Sequence, residues 1–195
     1  RVVSWNIASA LGKRCAADPR ERRTRMFDIL DSLFYLGTMV ACLQETGLAD
    51  DIGAAEAWLA QWSKANKCPA RIWLARGARR RAAGTGGTAS GIAVVAFGSW
   101  AARGQAVRSW ASGRGLFVEF ALMGSSGSTG RGRSSTVVGC LYGPSGSNGS
   151  SSTHERFRTM VSEEWHDCQE RGLAPVFLGD MNFAPSSVDR QEGSS

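Results

Sequence analysis

The sequence predicts a domain of mixed α and β structure, built as two successive units of strands with packing helices. Three observations carry this. Short apolar runs of strand length end abruptly in polar residues. Longer stretches space their apolar residues at helical intervals between recognisable start and stop residues. The middle of the chain consists of strand-like runs separated by Gly and Ser, the punctuation of neighbouring antiparallel strands. Two such units would pair two sheets face to face and leave the helices outside.

In chain order, residues 2–7 read as a strand. Residues 19–36 read as a helix, because Met26, Ile29, Leu30, Leu33 and Phe34 share one face. Asp18 is placed as its N-cap, Pro19 suits the first helical position, and Gly37 suits its end. Residues 38–43 are almost wholly apolar, as expected of a strand covered on both faces. Residues 51–67 form a second helical pattern with Ile52, Ala55, Leu59 and Trp62 on one side, closed by Pro69. Candidate strands follow at 71–75, 91–97, 105–111 and 116–122. In the last, Phe117 and Glu119 point to one face while Val118 and Phe120 point to the other. A strand at 136–142 leads to a helix at 153–171. Its expected capping box is Ser152 with Glu155, and its buried stripe is Phe157, Met160, Val161, Trp165 and Cys168. Gly172 ends it and residues 175–178 return as a strand. The Gly/Ser tracts at 125–135 and 145–152 read as mobile connections within one domain.

At 195 residues, with 43% hydrophobic and 21% charged residues, the chain has the length of one globular domain and not the composition of a disordered one. No apolar run approaches the roughly 18 residues of a membrane span, and no signal peptide opens the sequence. The five cysteines (Cys15, Cys42, Cys68, Cys140 and Cys168) are odd in number and lack CxxC spacing. They read as reduced thiols of an intracellular protein. Arg1 at the start and the tail from Gln191 to Ser195 read as cuts within a longer product.

The net charge of +6 is unevenly spread. From Arg71 to Arg133 ten arginines face a single acid, Glu119, a local +9 against −3 for the rest. Such a segment suits a phosphate backbone as partner, with salt-sensitive affinity. Arg76, Arg79, Arg80 and Arg81, beside a Gly-rich loop, are the candidate nucleic-acid contacts, together with Arg114 at the entry to the 116–122 strand. The alternative is that these arginines only solubilise loops. Arg79-Arg80-Arg81 is also a short nuclear-targeting candidate.

Four polar motifs terminate apolar runs: Ser4-Trp5-Asn6, Gln44-Glu45-Thr46, Tyr142-Gly143-Pro144 and Gly179-Asp180-Met181-Asn182. A side chain at the end of a strand sits at the mouth of a sheet, where loops gather. Any one motif is an ordinary turn. Together they supply, in Glu45, Asp180, Asn6, Asn182 and Tyr142, two carboxylates, two carboxamides and a tyrosine, the groups that a metal-assisted phosphodiesterase requires.

In order and context these motifs resemble the endonuclease/exonuclease/phosphatase superfamily, which includes DNase I-like, abasic-site and retrotransposon endonucleases. Val2-Val3-Ser4-Trp5-Asn6-Ile7 resembles its opening strand, and Leu43-Gln44-Glu45-Thr46 its metal-binding segment. Leu141-Tyr142-Gly143-Pro144 is similar to its "YxP", and Leu178-Gly179-Asp180-Met181-Asn182 to its "GDxN". Residues 183–190 resemble the segment that follows in endonucleases of non-LTR retrotransposons. The resemblance implies a four-layer α/β/β/α sandwich with its last strands missing, and a single domain over residues 1–195 that is incomplete at its C-terminus. It implies Mg²⁺, with Mn²⁺ as substitute, held by Glu45 and supported by Asn6, which also faces the scissile phosphate. Asp180 would orient and deprotonate the attacking water. Asn182 would hold a phosphoryl oxygen or fix that aspartate, and Tyr142 would donate its phenol to the phosphate or the leaving group.

The family pattern continues with another aspartate and a terminal Ser-Asp-His. Asp189 follows Asn182 too closely to be that aspartate. The two histidines, His154 and His166, fall on the helix after Tyr142 and read as solvated surface residues. These 195 residues alone are therefore expected to be inactive. The reading is a nuclear, Mg²⁺-dependent DNA endonuclease that nicks target DNA for a non-LTR retrotransposon, with a reverse transcriptase domain downstream and no membrane partner. The rivals are an abasic-site repair nuclease, a phosphatase for lipids or inositol phosphates, and, from another class, a non-catalytic DNA-binding fragment.

Overall fold

The computed structural model of this chain describes residues 1–8, 10–12, 16–48, 51–75, 91–122, 135–144 and 151–182. Eight strands and three longer helices are described: β1 (Val2–Asn6), α1 (Pro19–Tyr35), β2 (Val40–Gln44), α2 (Ile52–Ala65), β3 (Ala70–Ala75), β4 (Ile92–Phe97), β5 (Gly104–Ser109), β6 (Gly115–Ala121), β7 (Ser135–Tyr142), α3 (Ser151–Glu170) and β8 (Ala174–Asp180). They form two four-stranded sheets, ordered β1-β2-β4-β3 and β5-β6-β7-β8. Each sheet has one parallel pair, β1/β2 and β7/β8, and is otherwise antiparallel. A parallel pair needs a crossover, supplied here by α1 and α3.

The layers follow from which side chains alternate to which face. β2 is buried throughout: Ala41 and Leu43 face α1 and α2, while Val40 and Cys42 face the other sheet. Met26, Leu30 and Leu33 of α1 and Trp58, Leu59 and Trp62 of α2 cover the outer face of the first sheet. Between the sheets, Trp73, Val94 and Ala96 meet Leu116, Val118, Phe120, Val138 and Cys140. Phe157 and Cys168 of α3 cover Phe117, Val137 and Leu141 on the outer face of the second sheet. This is the α/β/β/α sandwich, and the expected split of β6 holds, with Phe117 outward and Val118 and Phe120 inward.

The caps of α1 are as expected. Asp18 accepts from the Arg20 N–H at 2.8 Å, and Gly37 turns left-handed at φ +68° while the Thr38 N–H closes on the Leu33 carbonyl. That closure consumes Thr38, so β2 starts at Val40 and runs to Gln44 instead of spanning 38–43. α2 ends at Ala65, short of the expected 67, because Lys67 adopts φ +50° and the Cys68 N–H returns to the Ser63 carbonyl.

α3 differs most from expectation. It begins at Ser151, so Ser152 lies inside its first turn and the expected capping box is not the cap. Of its expected stripe, Phe157 and Cys168 are buried and Met160 and Val161 half-buried. Trp165 is 42% exposed and meets Phe177 only edge-on, with ring centres 5.4 Å apart. Gly172, at φ +67°, ends the helix.

Cys42, Cys68, Cys140 and Cys168 are free thiols, while Cys15 lies outside the described residues. So do 125–134 and 145–150 of the Gly/Ser tracts; Ser135 opens β7 and residues 151 and 152 belong to α3. No helix among the described residues is long and apolar enough to cross a membrane.

The loops after β1 and β2 touch backbone to backbone. A Cβ on Gly47, already at φ +70°, would lie 2.4 Å from the Gly12 Cα. Gly47→Ala must therefore strain the turn or part the loops, and is expected to cost about 1–3 kcal/mol. Urea unfolding measures this; an unchanged midpoint would show that the two loops are not held in contact.

Candidate active site

Parallel strands end at the same edge of their sheet. In β1/β2, Asn6 pairs in register with Gln44, so Asn6 and the next residue, Glu45, emerge together. In β7/β8, Tyr142 pairs with Asp180 and both emerge at the opposing edge. The sandwich brings these two edges face to face.

Four side chains named from the sequence and the backbone of a fifth residue, Asn182, join in one hydrogen-bonded network, each residue half-buried. The Asn6 amide nitrogen donates to Glu45 Oε1 at 3.2 Å and to Asp180 Oδ2 at 2.9 Å. The Tyr142 hydroxyl donates to the same Glu45 Oε1 at 2.6 Å. Asp180 Oδ1 accepts from the backbone N–H of Asn182 at 3.0 Å, and the Asn182 amide donates to the Gly143 carbonyl at 3.0 Å. Glu45 and Asn182 both hold left-handed backbone, each at φ +52°. Such a conformation in a non-glycine residue costs energy and persists where surrounding contacts enforce it.

The arrangement suits a hard divalent cation. Two carboxylates lie within reach of one amide nitrogen, and neither forms an ion pair among the described residues. Glu45 Oε2 accepts no hydrogen bond from them, which leaves a carboxylate oxygen for an ion that retains most of its water. Asn6 lies between the two acids. Its Oδ1 already accepts from the Ala8 N–H at 3.0 Å, and it turns its nitrogen towards both acids. Asn6 thus bridges the two carboxylates.

Beneath the network, Gln44 is 1% exposed and ties three strands together. Its Oε1 accepts from the Ser4 hydroxyl at 3.2 Å, and its Nε2 reaches the Cys42 carbonyl at 3.1 Å and Cys140 Sγ at 3.3 Å. The Cys140 thiol, with burial, pushes the neighbouring Cys42 thiol well above its ordinary pKa. Sequence reasoning quoted Gln44 and Gly143 within motifs but gave them no role. The signal in Gly143 is its place between Tyr142 and Pro144: a Cβ there would lie 1.9 Å from the Met181 carbonyl oxygen.

Arg114 lies beside the network. Its Nη1 donates to the carbonyls of Tyr142 at 3.2 Å and Gly143 at 2.7 Å. Arg76, Arg79, Arg80 and Arg81 lie outside the described residues. His166, 71% exposed, pairs with Glu170 on the surface of α3, and His154 sits half-buried in that helix's first turn.

A second acidic grouping, Glu164, Asp167 and Cys168, lies on α3 with its ligand atoms within 4.8 Å of one another. Arg108 pairs with both of its carboxylates and Arg171 with Asp167. Burial pushes the Glu164 carboxyl and the Cys168 thiol upward. With its charge already balanced and its thiol held protonated, this grouping is a poor cation site.

No family model and no curated protein matches this chain. Solved structures do. The catalytic domain of Xenopus laevis APE2 matches over 100% of the chain with a TM-score of 0.61 and 17% identity. The human Nocturnin catalytic domain with bound sulfate anion matches over 94% at 0.51 and 15%, and TDP2 from C. elegans over 93% at 0.51 and 15%. The chain spans 62%, 65% and 48% of those three in turn. These likenesses show the DNase I-like fold.

The close approach at Gly143 makes a prediction about the site's frame. Gly143→Ala must push the ends of β7 and β8 apart, and should cost about 2 kcal/mol or more. Gly53, in α2 with open space where a Cβ would go, is the control. Gly53→Ala should be neutral or stabilising by up to about 1 kcal/mol. Equal thermal shifts for the two variants would contradict this account of Gly143.

Proposed function

We propose that this chain is the catalytic part of a divalent-metal-dependent phosphodiesterase acting on DNA, with Mg²⁺ as its ion and Mn²⁺ as substitute. The observation that carries this reading is the single network Tyr142–Glu45–Asn6–Asp180–Asn182, in which two carboxylates without an ion pair among the described residues meet a phenol, a side-chain amide and a backbone N–H at the ends of four strands. Glu45 is the residue to hold the ion. What a bound ion supplies there is neutralisation of charge on the phosphoryl oxygens. Asp180, fixed through both oxygens by Asn6 and by the Asn182 N–H, is oriented to hold the attacking water and accept its proton. Asn6 keeps the two acids at a fixed separation. Tyr142 offers its hydroxyl proton to a phosphoryl oxygen or to the leaving oxygen. Asn182 acts through its backbone N–H on Asp180, its amide being engaged by Gly143.

Within this reading the DNA partner rests on the arginine-rich segment from Arg71 to Arg133. The retrotransposon assignment rests on residues 183–190, and nuclear action on Arg79-Arg80-Arg81 together with a DNA substrate. A reverse transcriptase domain encoded downstream in the same gene would bear out the retrotransposon assignment.

The full-length gene product should nick supercoiled plasmid with Mg²⁺ and stop when the ion is chelated. Glu45→Ala and Asp180→Ala should each lower the rate by about 10²–10⁴-fold with little change in melting temperature. Nicking that survives both substitutions would refute the reading. Preference for a duplex with one abasic site over intact DNA would replace the retrotransposon assignment with a repair nuclease.

A further inference from the structure

We propose that Arg114 is a positioning residue, which sets the orientation of Tyr142 and, through the Gly143 backbone, of Asp180, and that it is not a contact for the DNA backbone. The proposal rests on the phosphodiesterase reading above and assigns Arg114 a different role from the phosphate contact that its sequence suggested.

The backbone of Gly143 is a junction. Its carbonyl accepts from Arg114 Nη1 at 2.7 Å and from the Asn182 amide at 3.0 Å, while its N–H donates to the Asp180 carbonyl at 2.7 Å. Arg114 therefore holds one side of a residue whose other backbone contacts reach Asp180, which bears the carboxylate, and Asn182, which fixes it. On the Tyr142 side the hold is threefold. Arg114 Nη1 donates to the Tyr142 carbonyl at 3.2 Å, its own carbonyl accepts from the Tyr142 N–H at 2.9 Å, and its guanidinium lies over the phenol ring at 5.4 Å. The same ring places its hydroxyl 2.6 Å from Glu45.

Side-chain type matters here. A planar guanidinium can donate to two neighbouring carbonyls and stack on an aromatic face at once, whereas an ammonium is a point charge on a flexible stem. A backbone phosphate contact asks only for a positive charge in reach. Lysine at this position therefore separates the two roles.

The test uses Arg114→Lys and Arg114→Met with three readouts. The first is NMR of protein labelled at the tyrosine ring carbon that bears the hydroxyl. The chain has only two tyrosines, so Tyr35, 83% exposed at the end of α1, serves as internal reference for Tyr142. Both variants should shift or broaden the Tyr142 signal and leave Tyr35 unmoved. The second is the salt dependence of binding to a short duplex without added metal, which should keep its slope in both variants. The third is steady-state nicking by the full-length product, where both variants should lose about 10-fold or more in kcat with KM little changed.

The proposal is overturned if lysine behaves as wild type while methionine lowers the salt slope by about 1, the signature of one lost phosphate contact. It is equally overturned if the Tyr142 signal is unmoved in both variants. The NMR readout needs neither turnover nor DNA, so it decides the role of Arg114 even where the wild-type protein does not cut. Absence of nicking by wild type counts against the phosphodiesterase reading alone. Should Arg114→Met fail to fold, the lysine variant still separates the outcomes.

Discussion

Two strands that run side by side in the same direction cannot be joined by a tight turn, and most of this structure follows from that constraint. β1 must reach β2, and β7 must reach β8, by a path that leaves the sheet and returns to its starting end; a helix on the outer face is that path. Placing α1 and α3 outside commits the inner faces to each other. The strands nearest the middle of the sandwich are then covered on both sides, which is why β2 and β4 are apolar at almost every position. The same directionality puts Asn6, Glu45, Tyr142 and Asp180 at one rim. Antiparallel pairing of either couple would have sent one member to the far end.

The site is held by neutral donors. Where proteins bring two carboxylates together for stability alone, arginine or lysine usually sits between them, as Arg108 does between Glu164 and Asp167 on α3. At the rim of the sandwich an amide and a phenol hold the acids in place and add no charge of their own. Among the described residues the chain thus contains both kinds of acidic pair, one balanced by arginine and one held by neutral groups.

What the sequence made legible was local. Asp18, Pro19 and Gly37 announced α1 because caps act within a few residues, and the polar residues ending each apolar run marked the strand ends. Pairing was not legible. That β4 inserts between β2 and β3 depends on contacts between segments tens of residues apart. The left-handed turn at Glu45 likewise needs its neighbours Gly12, Gly47 and Gly91 in place. The surroundings of Arg114 were hidden for the same reason. As a lone basic residue before a strand it looks free for phosphate, and only the pairing of Gly115 with Leu141 brings it beside Tyr142. The capping box assigned to Ser152 failed because α3 starts at Ser151, two residues earlier than that pair requires.

Gln44 has a consequence for how the two sheets can move. Apolar faces slide over one another at little cost, since one methyl group replaces another. A buried amide has partners at fixed positions, and here they lie on both sides of the gap: Ser4 on one sheet and the Cys140 sulfur on the other. Slippage by even one residue would strand that amide, at a cost of about 1–3 kcal/mol. The sandwich therefore has a detent at the end nearest Glu45, while towards its opposite end Trp73 and Phe120 pack edge to face and Arg71 Nη1 reaches across to the Gly104 carbonyl at 3.2 Å. At the rim that carries the acids, register between the layers is thus fixed by a polar contact as well as by packing, and the spacing of those acids is fixed with it.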